Sequence, residues 1–280
     1  MGSSPSGDEG GARNGGDGGP GPGWLEAGHL LGPGFRLVFT DRRGGVSEPP
    51  YRSLNLAFHT GDDPRRVSDN RAILAGALGI DGRRIAYPEQ VHGLRVAWAD
   101  DLAGRSEGIR VEALRETDGL LATREGLALC VLTADCVPLA MAYPEHGIIA
   151  MLHAGWRGTL GDIAGIACRL VEERMGIGPS RARAVIGPCI GPCCYRVDEG
   201  RAELFVEEYP GEGVVVRRGE AWSLDLRRAN IVNLVRCGME ERNIHCAGGC
   251  TCCEPRYFSF RREGVTGRQG ALIWREREDG

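Results

Sequence analysis

The sequence predicts an α/β fold of mixed α+β character: a single-domain layered sandwich with mixed β-sheets and outer helices. Three near-continuous apolar runs, LALCVL (127–132), VPLAMA (137–142) and IIAMLH (148–153), have the composition of strands covered on both faces. Segments with helix start and stop signals flank and follow them, as a layered sandwich requires. Length agrees. Residues 1–23 hold ten of the 44 glycines and almost no apolar side chains, so they read as a disordered Gly/Pro/Ser-rich tail. Setting them aside leaves 24–280, enough chain to bury a substantial core, with no internal repeat or second linker.

The elements follow in order. FRLVFT (35–40) reads as a strand, and 41–63, rich in Gly, Pro, Asp and Ser, as a loop. Asp63 followed by Pro64 opens a helix that Gly79 closes, with Val67, Ile73, Leu74, Ala77 and Leu78 on its apolar side. LRVAWA (94–99) is a strand, then the three apolar runs. A helix is expected from Thr159 to about Met175, and a strand at RAVIG (183–187). Residues 198–208 and 227–239 read as helices, with strands VVVR (214–217) and WSLDL (222–226) between them. ALIWR (271–275) is the last strand.

Composition excludes several classes. No apolar run approaches the ~18–20 residues of a membrane span, and no basic-then-apolar secretory signal opens the chain. The net charge is −4, and the 34 cationic residues, all arginine, are interspersed with 38 acidic ones. Neither a nucleic-acid nor a membrane partner is expected from such a surface. Eleven cysteines, an odd number, without a signal sequence point to free thiols in a reducing cytoplasm.

Three segments put a metal-capable side chain where an apolar strand meets a turn: QVHG (90–93), TADCVPL (133–139) and LHAGWRG (152–158). His92, Cys136 and His153 could together form a thiolate–imidazole tripod for Zn²⁺ with an open fourth position, the arrangement of a catalytic zinc. Such a zinc lowers the pKa of its bound water to about 7. The same set suits copper. The irregular spacing equally allows a hydrogen-bonded structural histidine and a core cysteine. Gly155 and Gly158 around Arg157, before a helix N-terminus, read either as an anion cradle or as a plain strand–turn–helix connection. Arginines in SFRR (259–262) and Arg268 either bind an anion or form a solvated face. GPCIGPCCY (187–195) carries Cys189, Cys193 and Cys194; HCAGGCTCC (245–253) carries His245, Cys246, Cys250, Cys252 and Cys253. No C-x₂-C pair there has a matching distant pair, so free thiols are expected over a structural metal.

Read together, TDRRGGVSEPPYRSLNL (40–56), HTGDDPRRVSDNR (59–71), QVHG, TADCVPL, HAGWRGT (153–159), GPCIGPCCYRV (187–197) and CT…FSFRR…GRQGALIW (250–274) resemble, in this order, the YfiH-like family, also called polyphenol oxidase (laccase-like) or peptidoglycan editing factor. The resemblance spans about residues 35–275. It implies one α/β domain with sandwiched sheets, similar to the cysteine-hydrolase-like toxin domains, with His92, Cys136 and His153 as metal ligands. It implies phosphorolysis of adenosine, inosine and methylthioadenosine to free base and ribose 1-phosphate, and deamination of adenosine. Purine nucleosides and phosphate would be the partners of a monomer or small homo-oligomer. Asn55 and Arg71 match polar positions near the family's site. Ala57 and Cys189 depart from the common Gly and Ala.

A multicopper centre needs paired HxH histidines; this chain has six His and no HxH, so copper chemistry is expected only as a side activity of one ion. For phosphorolysis, Arg71 and Arg157 are expected to hold the phosphate. For deamination, Asp135 and Glu89 are the carboxylates nearest the ligands in sequence, although adjacency to Cys136 along a strand counts against Asp135. Two competing readings stand beside this one. In the first, Cys136 is the nucleophile of a cysteine hydrolase with His153 or His92 as base, acting on amides of peptidoglycan precursors. In the second, the chain is a non-catalytic metal-binding protein.

Overall fold

The structure, a computed structural model, describes residues 14–15, 21–101, 103–104, 108–109 and 114–277. Most of the expected 1–23 tail therefore lies outside the described residues.

Two six-stranded sheets organise the chain. The first, in the order β1-β2-β3-β17-β9-β4, joins Asn14–Gly15 (β1), Trp24–Glu26 (β2), Phe35–Thr40 (β3), Ile85–Ala86 (β4), Ala128–Thr133 (β9) and Gln269–Arg275 (β17). The second, in the order β16-β12-β10-β11-β8-β5, joins Val96–Trp98 (β5), Gly119–Ala122 (β8), Val137–Tyr143 (β10), Ile148–Ala154 (β11), Arg183–Ile186 (β12) and Ile244–Cys246 (β16). Ala103–Gly104 (β6) and Gly108–Ile109 (β7) form a ribbon. Arg196–Val197 (β13), Val215–Arg218 (β14) and Ala221–Leu224 (β15) form a small third sheet. The helices are Pro64–Leu78 (α1), Trp156–Leu160 (α2), Ile163–Met175 (α3), Glu199–Glu208 (α4), Leu226–Arg236 (α5) and Phe260–Glu263 (α6).

Side-chain alternation shows how the layers stack. On β17, Ala271 and Ile273 join a core with Leu129 and Val131 of β9 and with Ala140, Ala142, Ile149 and Met151 of the second sheet. Their neighbours Leu272 and Trp274 join Leu132, Cys130 and α1 residues Leu74 and Ala75. On the far side of the second sheet, Leu139, Met141, Tyr143, Ala150 and Leu152 pack with Ile163, Ala167 and Val171 of α3, Phe205 of α4 and Ala229 of α5. The order is therefore helix, sheet, sheet, helices. The apolar runs are continuous because both strand faces are covered. Most strand pairings are nonetheless antiparallel; among the described strands, β4 with β9, β5 with β8 and β12 with β16 run parallel.

Local signals explain the boundaries. The Asp63 side chain accepts from Arg65 N at 2.9 Å, Pro64 takes the first helical position, and Gly79 closes α1 at φ 68°. The single helix expected over 159–175 is two: Asp162 adopts φ 54° and caps α3 by accepting from Gly165 N at 2.9 Å, so the chain breaks after Leu160. Asp225, expected inside a strand, instead caps α5 by accepting from Arg228 N at 2.9 Å. β8 carries no alternation and escapes a reading by period; all of its residues are buried.

Ile273 is fully buried between the sheets. Ile273→Ala is expected to cost about 2–5 kcal/mol in urea unfolding at unchanged m. Val235→Ala, at a position 43% exposed on α5, should shift it by less than about 0.5 kcal/mol. Equal effects of the two would contradict the layer assignment.

Candidate active site

The three candidate ligands meet at one end of the second sheet. The β10–β11 register places Val137 opposite Ala154 and Pro138 opposite His153, so Cys136, one residue before β10, lies beside the end of β11. The Thr133–Cys136 turn is where the chain leaves β9 in the first sheet and enters β10 in the second. His92 lies in the loop before β5, and β5 pairs with β8, whose preceding residue is Asp118.

Asp118 ties these pieces together. It is fully buried, and its carboxylate accepts from Val91 N (3.1 Å), His92 N (3.0 Å), Gly93 N (2.7 Å) and His153 Nδ1 (2.7 Å). Its carbonyl accepts from His153 N at 2.8 Å. The backbone contacts hold His92 at φ 59°, a conformation non-glycine residues avoid. The Nδ1 contact fixes the His153 ring and leaves Nε2 free to face Cys136, the usual duty of a carboxylate behind a ligating histidine. Burial pushes the Asp118 carboxyl up, but His153 and the Gly93 and Val91 amides outweigh it and hold it below the ordinary range.

One donor atom from each of His92, Cys136 and His153 lies within 4.8 Å of the others, and Cys136 Sγ is 3.8 Å from His92 Nε2. Tetrahedral zinc, with bonds of about 2.0–2.3 Å, fits between such donors. A Cβ on Gly155 would stand 3.1 Å from both Cys136 Sγ and His92 Cδ2, so only glycine leaves this space clear. Burial raises the Cys136 thiol, but the His153 and His92 imidazoles outweigh it and bring it down to about 6. Burial lowers His153, but Cys136 and Asp118 outweigh it and raise it to about 9. Near neutral pH the metal-free site thus holds a thiolate beside an imidazolium.

These residues border a cavity of about 460 Å³ whose wall includes His59, Tyr195, Arg201, Phe260, Arg261 and Arg268. Of the other expected site residues, Asp135 also lines this cavity, whereas Arg157, Arg71, Asn55 and Glu89 do not. Arg157 is exposed and lies 4.7 Å over the Trp156 ring; it does not line this cavity. Arg71 donates to Leu56 O at 2.9 Å and stacks on Phe58 and Tyr87, behind the loop that carries His59. Asn55 is buried; its Oδ1 accepts from Arg268 N at 2.9 Å, so it fixes the backbone of a wall residue without lining the cavity. Asp135, at φ 100°, accepts from Thr251 Oγ1 and Arg261 N, both at 2.7 Å, and braces the wall. Glu89 is exposed and does not line the cavity.

Asp118 and His59 escape sequence reading. The side-chain partners of Asp118 lie 25 or more residues away, and nothing local marks it. Arg261 and Arg268 were legible only as arginines of undecided role. Among the described residues neither forms an ion pair with a carboxylate. Burial lowers Arg268, which stays cationic at neutral pH.

Comparison with known proteins agrees with this architecture. The family described as multi-copper polyphenol oxidoreductase laccase matches residues 36–276. The chain is 37% identical over 263 residues to a protein of Geobacillus stearothermophilus named purine nucleoside phosphorylase YlmD, covering 91% of this chain and 96% of that one. It is 38% identical over 243 residues to a protein named purine nucleoside phosphorylase from Corynebacterium glutamicum, covering 87% and 95%. The crystal structure of the Bacillus licheniformis hypothetical protein YfiH superposes with a TM-score of 0.82 at 31% identity, covering 92% of this chain and 98% of that one.

In metal-stripped protein, alkylation of Cys136 by iodoacetamide, followed by mass spectrometry of its peptide, should rise with pH through a midpoint of about 6. The thiolate is populated above that value, whereas an ordinary thiol requires about 8.5. His153→Gln should move the midpoint upward. A midpoint near 8.5 in both proteins would contradict the ion pair.

Proposed function

The chain belongs to the multi-copper polyphenol oxidoreductase laccase family, and on that footing we propose that it is a zinc-dependent purine nucleoside phosphorylase, cleaving adenosine, inosine and methylthioadenosine to base and ribose 1-phosphate. The supporting observation is the joining, in one cavity, of the His92–Cys136–His153 trio to Arg261 and Arg268, arginines without carboxylate partners among the described residues.

Zinc held by His92, Cys136 and His153 would supply Lewis acidity and a bound water of lowered pKa. The other roles belong to the chain. Arg268 uses Nη1 on Thr266 O and Gly267 O, and Arg261 uses Nη1 on Cys194 O and Arg196 O. The rest of each guanidinium is left for phosphate, whose geometry a planar fork matches. Phosphate oxygen then bonds to C1′ as the C1′–N bond breaks and the base leaves with the electron pair. Positive charge develops on the ribose, and the bound anion stabilises it. Phe260, 58% exposed at the mouth, offers a face on which a purine can stack. Burial lowers His59, so its neutral ring can both donate to and accept from the substrate.

Adenosine deamination is proposed as a second reaction of the same cavity. Asp135 is engaged by Thr251 and Arg261, so His59 is the better proton carrier. Copper held by His92, Cys136 and His153 would supply one-electron chemistry for phenol oxidation, with dioxygen as the oxidant, as a side activity. No described helix is long and apolar enough to cross a membrane, and we place the enzyme in the cytoplasm as a single catalytic domain over 24–280.

One observation favours a second reading. Cys136, His153 and Asp118 form a thiolate–imidazole–carboxylate series, the logic of a cysteine hydrolase. Under that reading, chelator-treated protein cleaves amides of peptidoglycan precursors, and an electrophile traps Cys136.

Three outcomes are expected. Asp118→Asn should weaken zinc retention about 10–100-fold in competition with a chelator, because the carboxylate behind His153 is lost. Arg268→Gln should raise KM for phosphate about tenfold or more, while His92→Ala should lose both zinc and phosphate-dependent release of base from inosine, measured on one sample. Full activity in zinc-free His92→Ala protein would overturn the metal reading. No phosphate-dependent product from any of the three nucleosides would overturn the phosphorylase reading.

A further inference from the structure

The two cysteine-rich segments, expected to be free thiols, meet in the fold. Cys189 and Cys250 form an isolated parallel bridge, and the sulfurs of Cys193, Cys194, Cys250 and Cys253 all lie within 4.8 Å of one another. Cys253 Sγ is 3.4 Å from Cys194 Sγ and 3.6 Å from Cys193 Sγ. Four thiolates around a tetrahedral zinc, with bonds of about 2.3 Å, stand about 3.8 Å apart. The spacing rule fails here because the partner of the Cys250-x-x-Cys253 pair is an adjacent pair, Cys193–Cys194.

Each pair rides a tight turn. Cys194 N and Tyr195 N donate to Gly191 O at 3.0 Å; Cys253 N and Glu254 N donate to Cys250 O at 3.1 and 3.0 Å. Gly191 N donates to Cys250 Sγ at 3.2 Å, a contact that stabilises a thiolate. A Cβ on Gly191 would stand 3.2 Å from Cys193 Sγ, so the turn admits little more than glycine.

We propose that Cys193, Cys194, Cys250 and Cys253 form a second metal site, a closed four-thiolate zinc centre separate from the His92–Cys136–His153 trio. With every position filled by protein it is structural. It clamps the 187–197 loop, whose Ile190 and Tyr195 line the cavity, to the 250–253 loop, and both loops brace lining residues: Arg261 Nη1 donates to Cys194 O at 3.2 Å, and Thr251 Oγ1 donates to Asp135 at 2.7 Å. All-sulfur coordination selects a soft or borderline ion such as zinc over magnesium or calcium.

The test uses the full chain carrying Cys136→Ala, which lacks the sulfur of the other site, purified without oxygen in metal-free buffer. Elemental analysis should find about one zinc per chain. Adding Cys193→Ser and Cys253→Ser should abolish it, and adding Cys246→Ser, outside the cluster, should leave it. Cobalt replacement in the Cys136→Ala chain should give thiolate-to-cobalt charge-transfer absorption with tetrahedral d–d bands. That reading stands even if the serine variant fails to fold. A zinc-free Cys136→Ala chain without the cobalt band overturns the proposal, as does zinc that survives the Cys193 and Cys253 changes. Iron in place of zinc, or a disulfide between any two of the four in the anaerobic protein, overturns it equally.

Discussion

A single buried carboxylate sets the geometry of the site. Asp118 receives three consecutive backbone amides from the His92 loop and the Nδ1 of His153, so one side chain fixes where two imidazoles stand. A buried anion without such donors would be strongly disfavoured; with them it outcompetes its own desolvation. The unusual backbone at His92 persists because these amides over-determine it. Cys136 and His153 hold each other in the ionic form, and the same carboxylate reinforces the imidazolium, the state from which either a metal ligand or a nucleophile is drawn.

Sheet register does the remaining positioning. Cys136 and His153 become neighbours through the β10–β11 pairing, and Asp118 is delivered by β8, which pairs with both β11 and β5. The site thus lies at the strand ends of the second sheet, while its opposite wall comes from Phe260, Arg261 and Arg268, on the chain leading into β17 of the first sheet, and from Ile190 and Tyr195 of the 187–197 segment. His92, Cys136 and His153 share a cavity with Arg261 and Arg268 because the chain passes between layers at Thr133–Cys136.

Much of this was legible beforehand. The apolar runs gave strands covered on both faces, Asp63-Pro64 and Gly79 bounded a helix to the residue, and the ordered motifs singled out His92, Cys136 and His153. What was not legible shares a cause: it depends on partners distant in sequence. Asp118 resembles any turn aspartate until His153 is placed beside it. Arg157 follows His153 closely in sequence, yet α2 turns its side chain outward, while Arg268 reaches the cavity from the far end of the chain. Asp162 and Asp225 shifted helix starts because a capping side chain outweighs the apolar pattern around it.

β17 occupies the interior of the first sheet, between β3 and β9, although it is the last strand of that sheet in the chain. During synthesis β3 and β9 must therefore wait, with their facing edges unpaired, until residues 269–275 have left the ribosome. Arg268 immediately precedes that strand, so the cavity acquires this part of its wall only when the sheet's central gap is filled. A nascent chain arrested before this point leaves both of those sheet edges exposed, the feature that chaperones and proteases act on.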